Sequence, residues 1–151
     1  MVLEPGTQPP SISAHNQWGE RVTPDFRTPT VLYFYPRDDT PGCTTEAKAF
    51  NDRYEEYHEA GVEVYGVSTD DVDSHCEFAE EHDLSFDLLA DPDGTIADAF
   101  DVEISERDRA SRTTYVLAKG RVVGVYEGVR PEGHAAEVLR DLMEAGLVPM
   151  E

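Results

Sequence analysis

Two short apolar runs, Pro29 or Thr30 to Tyr35 (PTVLYFY) and Val62 to Ser68 (VEVYGVS), decide most of what this chain can become. The first is continuous in apolar and β-branched residues, the pattern of a strand buried on both faces. The second reads as another buried strand. Between them, from Cys43 to about Glu59, Ala47, Phe50, Tyr54 and Tyr57 follow the i, i+3, i+7, i+10 spacing of an amphipathic helix that ends at Gly61. Strand, helix and strand in that order require parallel pairing, with the first strand central. Thr69 or Asp70 can cap a further helix running to about Asp83.

The flanks complete the layout. Pro9 and Pro10 followed by SISAHNQWGERVTP predict a short hairpin with its turn around Asn16 to Gly19, capping the domain. Phe86 to Ala90 is a candidate third strand, Asp93 and Gly94 a turn, and Thr95 to Phe100 a short helix. TTYVLA and RVVGVYEG flank Lys119 and Gly120 as an antiparallel hairpin. GVRPEG, Gly128 to Gly133, is too short for a phosphate loop and leads into a final helix, roughly Gly133 to Ala145, with Ala136, Leu139, Leu142 and Met143 on one face. These elements describe an α/β chain with a mixed central sheet flanked by helices. At 151 residues it is sized for a single domain, 1–151, with no repeat or linker.

The balance of 32 acidic against 12 basic residues gives a net charge of −20, which repels nucleic acid and anionic membranes. The acids are spread over helices and turns, as expected of a solvated surface adapted to high cytoplasmic salt. No stretch approaches the roughly 18 consecutive apolar residues of a membrane span, and MVLEPGTQPP lacks the basic and apolar regions of a secretory signal. A soluble, cytoplasmic protein is expected. In that setting two cysteines, Cys43 and Cys76, read as redox-active or free thiols and not as a disulfide framework.

Cys43 stands where the first long helix should begin, after a Pro/Asp/Gly turn. A helix N-terminus leaves backbone N–H groups unpaired and carries partial positive charge, a setting that favours a thiolate. The segment YPRDDTPGCTTEA contains a PxxxTxxC arrangement that resembles the active site of the peroxiredoxins, in their bacterioferritin comigratory protein (peroxiredoxin Q) branch. The similarity continues through GVEVYGVSTDDVDSHCEFAEEHDLSFDLLADPDG and SRTTYVL. It implies a thioredoxin-like fold and reduction of hydroperoxides by an active-site thiolate, without a cofactor. By the same resemblance Cys43 is the peroxidatic cysteine, Thr40 its hydroxyl partner, Pro36 a shield, and Arg112 the cation that completes the pocket. Nearby Arg107 and Arg109 lack the RTTYVL context. Glu46 fits the motif but already suits the helix dipole and is given no catalytic role.

A sulfenic acid on Cys43 must then be reduced, usually by a second thiol. Many relatives place that thiol five residues after the first, where this chain has Lys48; others place it in the next helix, where Cys76 lies; others have none. Cys76 stands on or beside the apolar stripe of Val72, Phe78 and Ala79, so a resolving and a packing role both remain open. A Cys43–Cys76 disulfide would require the start of the Cys43 helix to unwind, because the Cα atoms must come within about 7 Å. Thioredoxin or a similar dithiol is the expected reductant. A monomer is expected, with a weak homodimer as the alternative, since the chain lacks the cysteine-bearing C-terminal tail of the obligate-dimer peroxiredoxins. The alternative function is a peroxide-sensing thiol switch that turns over slowly. A disulfide oxidoreductase would need CxxC, and Thr40 occupies the position three before Cys43.

The remaining candidates have plain readings. His75, Cys76 and His82 do not match a zinc motif, so no metal is expected. His15, His58 and His134 are assigned to the surface, and Phe50, Tyr54, Tyr57 and Phe78 to core and rim packing.

Overall fold

The predicted N-terminal hairpin forms from β1 (Ala14–His15) and β2 (Arg21–Val22), paired antiparallel. The computed structural model describes residues 3–38, 40–105 and 109–146. Asn16 organises the turn: its Oδ1 accepts from the N–H groups of Trp18 and Glu20. Gln17 next to it ties the hairpin to the edge of the larger sheet, where its Oε1 accepts from Leu88 N–H at 2.9 Å and its Nε2 donates to Phe86 O. The side chain thereby satisfies part of an exposed strand edge, which is how the hairpin caps the domain.

β3 (Thr30–Phe34) is followed by α1 (Pro41–Asp52), α2 (Tyr54–Glu59) and β4 (Glu63–Ser68). The single helix expected from Cys43 to Glu59 is therefore two. The chain leaves helical geometry at Arg53 (φ −104°, ψ 6°), whose N–H turns back to Phe50 O. The first helix also starts two residues earlier than expected, because Pro41 lacks an N–H to lose and suits the first helical position. α3 (Val72–His82) is capped by Asp71, whose carboxylate accepts from Ser74 N–H. Neither Thr69 nor Asp70 is the cap: Asp70 instead accepts from Ser68 Oγ and Asp38 N–H. β5 (Asp87–Ala90), α4 (Thr95–Ala99), β6 (Thr113–Ala118), β7 (Arg121–Glu127) and α5 (His134–Glu144) complete the chain. Lys119 and Gly120 both take positive φ, the two-residue turn that matches strand twist in a tight hairpin.

The mixed sheet runs β5-β4-β3-β6-β7, with β3 in the middle as predicted; β3 pairs parallel with β4 and antiparallel with β6. Alternation along β3 divides the core. Val31, Tyr33 and Tyr35 face α1, α2, α3 and α5, where Phe50, Tyr57, Phe78 and Val138 pack. Leu32 and Phe34 face the other side, with Phe26, Ile96, Phe100 and Tyr115. Tyr33 stacks on Phe50 (centroids 4.7 Å apart), fixing α1 against the middle of the sheet.

Two expectations fail in α5. Its buried face is His134, Ala135, Val138, Leu139 and Leu142, with Ala136 at the margin. His134 is not a surface residue: it is buried against Phe50 and Tyr126, with Nε2 2.9 Å from Thr114 Oγ1. Its position at the helix start, where polar side chains are common, hid that burial. No helix among the described residues is long and apolar enough to cross a membrane.

Candidate active site

Cys43 is the third residue of α1 and is only 1% exposed. Thr40, the N-cap, is extended (φ −95°, ψ 154°), and its carbonyl accepts the N–H of Thr44 at 2.8 Å. Pro41 has no N–H, so Gly42 and Cys43 carry the first-turn donors that no helical carbonyl can accept. The positive end of the helix dipole therefore lies at the sulfur.

Arg112 reaches the same place from the residue before β6. Its Nη2 donates to Cys43 Sγ at 3.2 Å, and its Nη1 donates to Glu46 Oε1 at 2.9 Å. Glu46 is one turn along α1 from Cys43 and equally buried. One guanidinium thus spans a sulfur and a carboxylate on the same helix face, a geometry that suits its rigid fork of donors. Burial pushes Glu46 up to about 7, against the lowering pull of the Arg112 charge and hydrogen bond. Its second oxygen, Oε2, is buried with no hydrogen-bond partner among the described residues, as is the Tyr33 hydroxyl. Burial first, then the negative charges of Glu46 and Cys43, keep the Tyr33 phenol protonated.

Gly42 is what admits the arginine. A Cβ at that position would meet Arg112 Nη2 at 2.6 Å, and Pro131, from the segment leading into α5, at 3.7 Å. Thr40 is half-buried beside this group, with its hydroxyl donating to Arg37 O at 3.1 Å. Pro36 is half-buried just beyond β3. Of the sequence candidates, Cys43 and Arg112 are in direct contact, and Thr40 opens the helix that carries the sulfur. Arg109 sits in another loop, its N–H on Ser105 Oγ, and Arg107 lies outside the described residues.

Cys76 is not in this cluster. It is partly exposed on α3, its Sγ donating to Glu80 Oε1 at 3.1 Å one turn away, while the buried residues of that helix are His75, Phe78 and Ala79. Both cysteines are free thiols. The Glu80 hydrogen bond, then desolvation and the charges of Glu80, Asp73 and Glu77, push the Cys76 thiol up. Lys48 is exposed on α1.

Sequence reasoning passed over Glu46, taking it for a dipole-complementing acid. The signal available was its i+3 spacing from Cys43, which puts both side chains on one helix face. Also unread was the buried polar group around Asp38, whose carboxylate contacts Tyr35, Ser74 and His75.

Residues 5–125 match the AhpC/TSA family. The chain is 37% identical over 153 residues to peroxiredoxin Bcp of Bacillus subtilis (strain 168), covering 95% of this chain and 98% of that protein. It is 42% identical over 140 residues to chloroplastic peroxiredoxin Q of Triticum aestivum, covering 89% of this chain but 64% of the longer plant protein. Among solved structures, peroxidoxin BcpB of Mycobacterium tuberculosis superposes with a TM-score of 0.88 at 31% identity, covering 94% of this chain and 97% of that one. The Xanthomonas campestris bacterioferritin comigratory protein, whose trapped intermediate and ligand complexes concern alkyl peroxide reduction, gives a TM-score of 0.83 at 33% identity over 90% of this chain and 92% of that one.

Proposed function

The chain belongs to the AhpC/TSA family, in the branch that holds peroxiredoxin Q and Bcp, and from that membership we propose that it reduces hydrogen peroxide and small organic hydroperoxides through Cys43. The observation that carries the assignment of the residue is the 3.2 Å contact between Arg112 Nη2 and Cys43 Sγ at a helix N-terminus.

The Cys43 thiolate attacks the terminal oxygen of the peroxide. The S–O bond forms as the O–O bond breaks, leaving a sulfenic acid, and the departing alkoxide or hydroxide takes a proton to become alcohol or water. Arg112 and the first-turn N–H groups of Gly42 and Cys43 supply donors where negative charge moves from sulfur to the leaving oxygen. The Thr40 hydroxyl orients the bound peroxide and Pro36 shields the sulfur from water. Cys76 then attacks the sulfenic sulfur, water leaves, and a Cys43–Cys76 disulfide forms. A thioredoxin-like dithiol reduces it, returning both thiols and leaving the donor as a disulfide. The protein works as a cytoplasmic monomer.

The test is steady-state hydrogen peroxide consumption with a thioredoxin and its reductase. Sustained turnover abolished by Cys43→Ser is expected. A single stoichiometric reaction that then stops would replace the peroxidase with a peroxide-sensing thiol switch.

A further inference from the structure

Behind Cys43 lies a second constellation that the peroxidatic chemistry does not use. Asp38, 5% exposed, sits two residues before the N-cap of α1. Its carboxylate accepts from the Tyr35 hydroxyl at 2.6 Å and the Ser74 hydroxyl at 2.8 Å, and its Oδ2 lies 2.7 Å from His75 Nδ1. Its N–H donates to Asp70 Oδ2 at 2.7 Å. His75 is wholly buried, and its other nitrogen, Nε2, is 3.1 Å from Leu89 O. That carbonyl can only accept, so Nε2 is the donor there, and Nδ1 is the ring atom that faces the Asp38 carboxylate. The groups facing His75 are thus Tyr35, the residue after β3, Asp38 of the following loop and Leu89 of β5, with Asp70 one step behind. Asp38, Asp70 and His75 bring carboxylate and ring atoms within 4.8 Å of one another, but the 2.7 Å Asp38–His75 contact has hydrogen-bond length and leaves no space for an ion.

This network joins the two thiol-bearing helices. On one side it holds the backbone just before α1, whose first turn carries Cys43; on the other it holds Ser74 and His75, the two residues before Cys76. Cys43 is buried under Arg112, Cys76 faces Glu80 on its own helix, and neither sulfur touches the other. A disulfide between them requires the start of α1 to leave its place, and the bonds to Asp38 resist that departure.

We propose that the Asp38–His75 pair is a latch that holds the start of α1 in the form that reacts with peroxide, and that its release sets the rate at which the Cys43 sulfenic acid reaches Cys76. The proposal rests on the roles given to Cys43 and Cys76 above, and His75 acts in it as a positioning residue. The latch has opposite effects on successive steps. A firm latch aligns Cys43, Arg112 and the helix N–H groups, favouring attack on peroxide. It also retains the sulfenic acid beside the pocket, where a second hydroperoxide transfers an oxygen to it, giving sulfinic acid and releasing alcohol or water. A loose latch slows the first reaction, speeds the disulfide and lowers sulfinic acid formation.

The test mixes the reduced protein with hydrogen peroxide for one turnover, quenches at intervals and follows intact mass, so that gain of oxygen and loss of two hydrogens are timed separately. His75→Leu deletes both ring bonds, His75→Asn keeps an N–H near the position of Nδ1, and Ser74→Ala removes one donor should His75→Leu fail to fold. A hydrogen bond to a buried charge predicts that His75→Leu slows sulfenic acid formation and speeds disulfide formation, each by about tenfold. His75→Asn should recover most of the difference, and Ser74→Ala should fall between. Both steps slowed together, or neither altered, would overturn the latch. Hydrogen exchange at Gly42 to Thr45 separates this from the role of Cys76. If the wild type forms no disulfide, Cys76 is not the resolving thiol; faster exchange there in His75→Leu would still support the latch, and unchanged exchange would overturn it.

Discussion

The Arg112 guanidinium passes so close to Gly42 that a methyl group on that residue would lie 2.6 Å from Nη2. The absent side chain is part of the site, because it sets how near the cation comes to Cys43. Gly42→Ala, otherwise favourable in a helix by about 1 kcal/mol, should displace Arg112. Misplacement on that scale lowers the rate of reaction with peroxide by about 100-fold. Competition for peroxide against a second peroxidase of known rate measures it, with thermal unfolding showing the fold intact. A wild-type rate would mean that Arg112 is not held by this approach.

Glu46 makes the stability of the protein depend on pH in a definite direction. Its carboxyl is raised by burial from an ordinary value of 4.5 to about 7, so the native state binds its proton more tightly than the unfolded chain does. Native stability from this group is full below about 4.5 and is lost as pH rises through about 7, a change of about 3 kcal/mol. Denaturant unfolding of wild type and Glu46→Gln between pH 4 and pH 8 should show the wild type losing ground to the variant as pH rises. The same variant keeps a weaker hold on Arg112, and its peroxide rate should fall about tenfold. Parallel stability curves would contradict the account of Glu46.

The hydrogen bond from Cys76 to Glu80 holds that sulfur as a thiol. Glu80→Gln removes the charged acceptor and should bring the thiol down toward its ordinary range. More thiolate at neutral pH should then speed disulfide formation, with no change in the initial reaction of Cys43 with peroxide. Rapid-quench mass measurements on both steps check this.

The acidic surface gives a prediction of its own. At molar salt the screening length falls to about 3 Å, so repulsion among the exposed carboxylates is quenched. Thermal stability and peroxidase activity should both rise on adding molar KCl. Flat or falling curves would count against adaptation to a salty cytoplasm.

Much of this molecule was legible in local pattern. The PTVLYFY run identified the central strand because a segment buried on both faces has no polar alternation, and Lys119-Gly120 marked the late hairpin. The TPGC turn placed Cys43 at a helix start, and RTTYVL singled out Arg112 from its neighbours. What stayed hidden depends on tertiary contact. The break at Arg53 interrupts a helix whose apolar spacing continues across it. Glu46 and His134 are polar residues whose burial no spacing announces. Asp38 and His75 meet only because the strand order brings the exit of β3 beside the start of α3.

The central claim is that peroxide oxidises Cys43 and that Cys76 resolves it. Intact mass with peptide mapping, after one equivalent of hydrogen peroxide is added to reduced wild type and Cys76→Ser, tests it most directly. The account predicts loss of two hydrogens and a linked Cys43–Cys76 peptide in the wild type, and one added oxygen on Cys43 in Cys76→Ser. An added oxygen on Cys43 in both would remove Cys76 from the cycle, and an unmodified Cys43 would contradict the assignment of the peroxidatic residue.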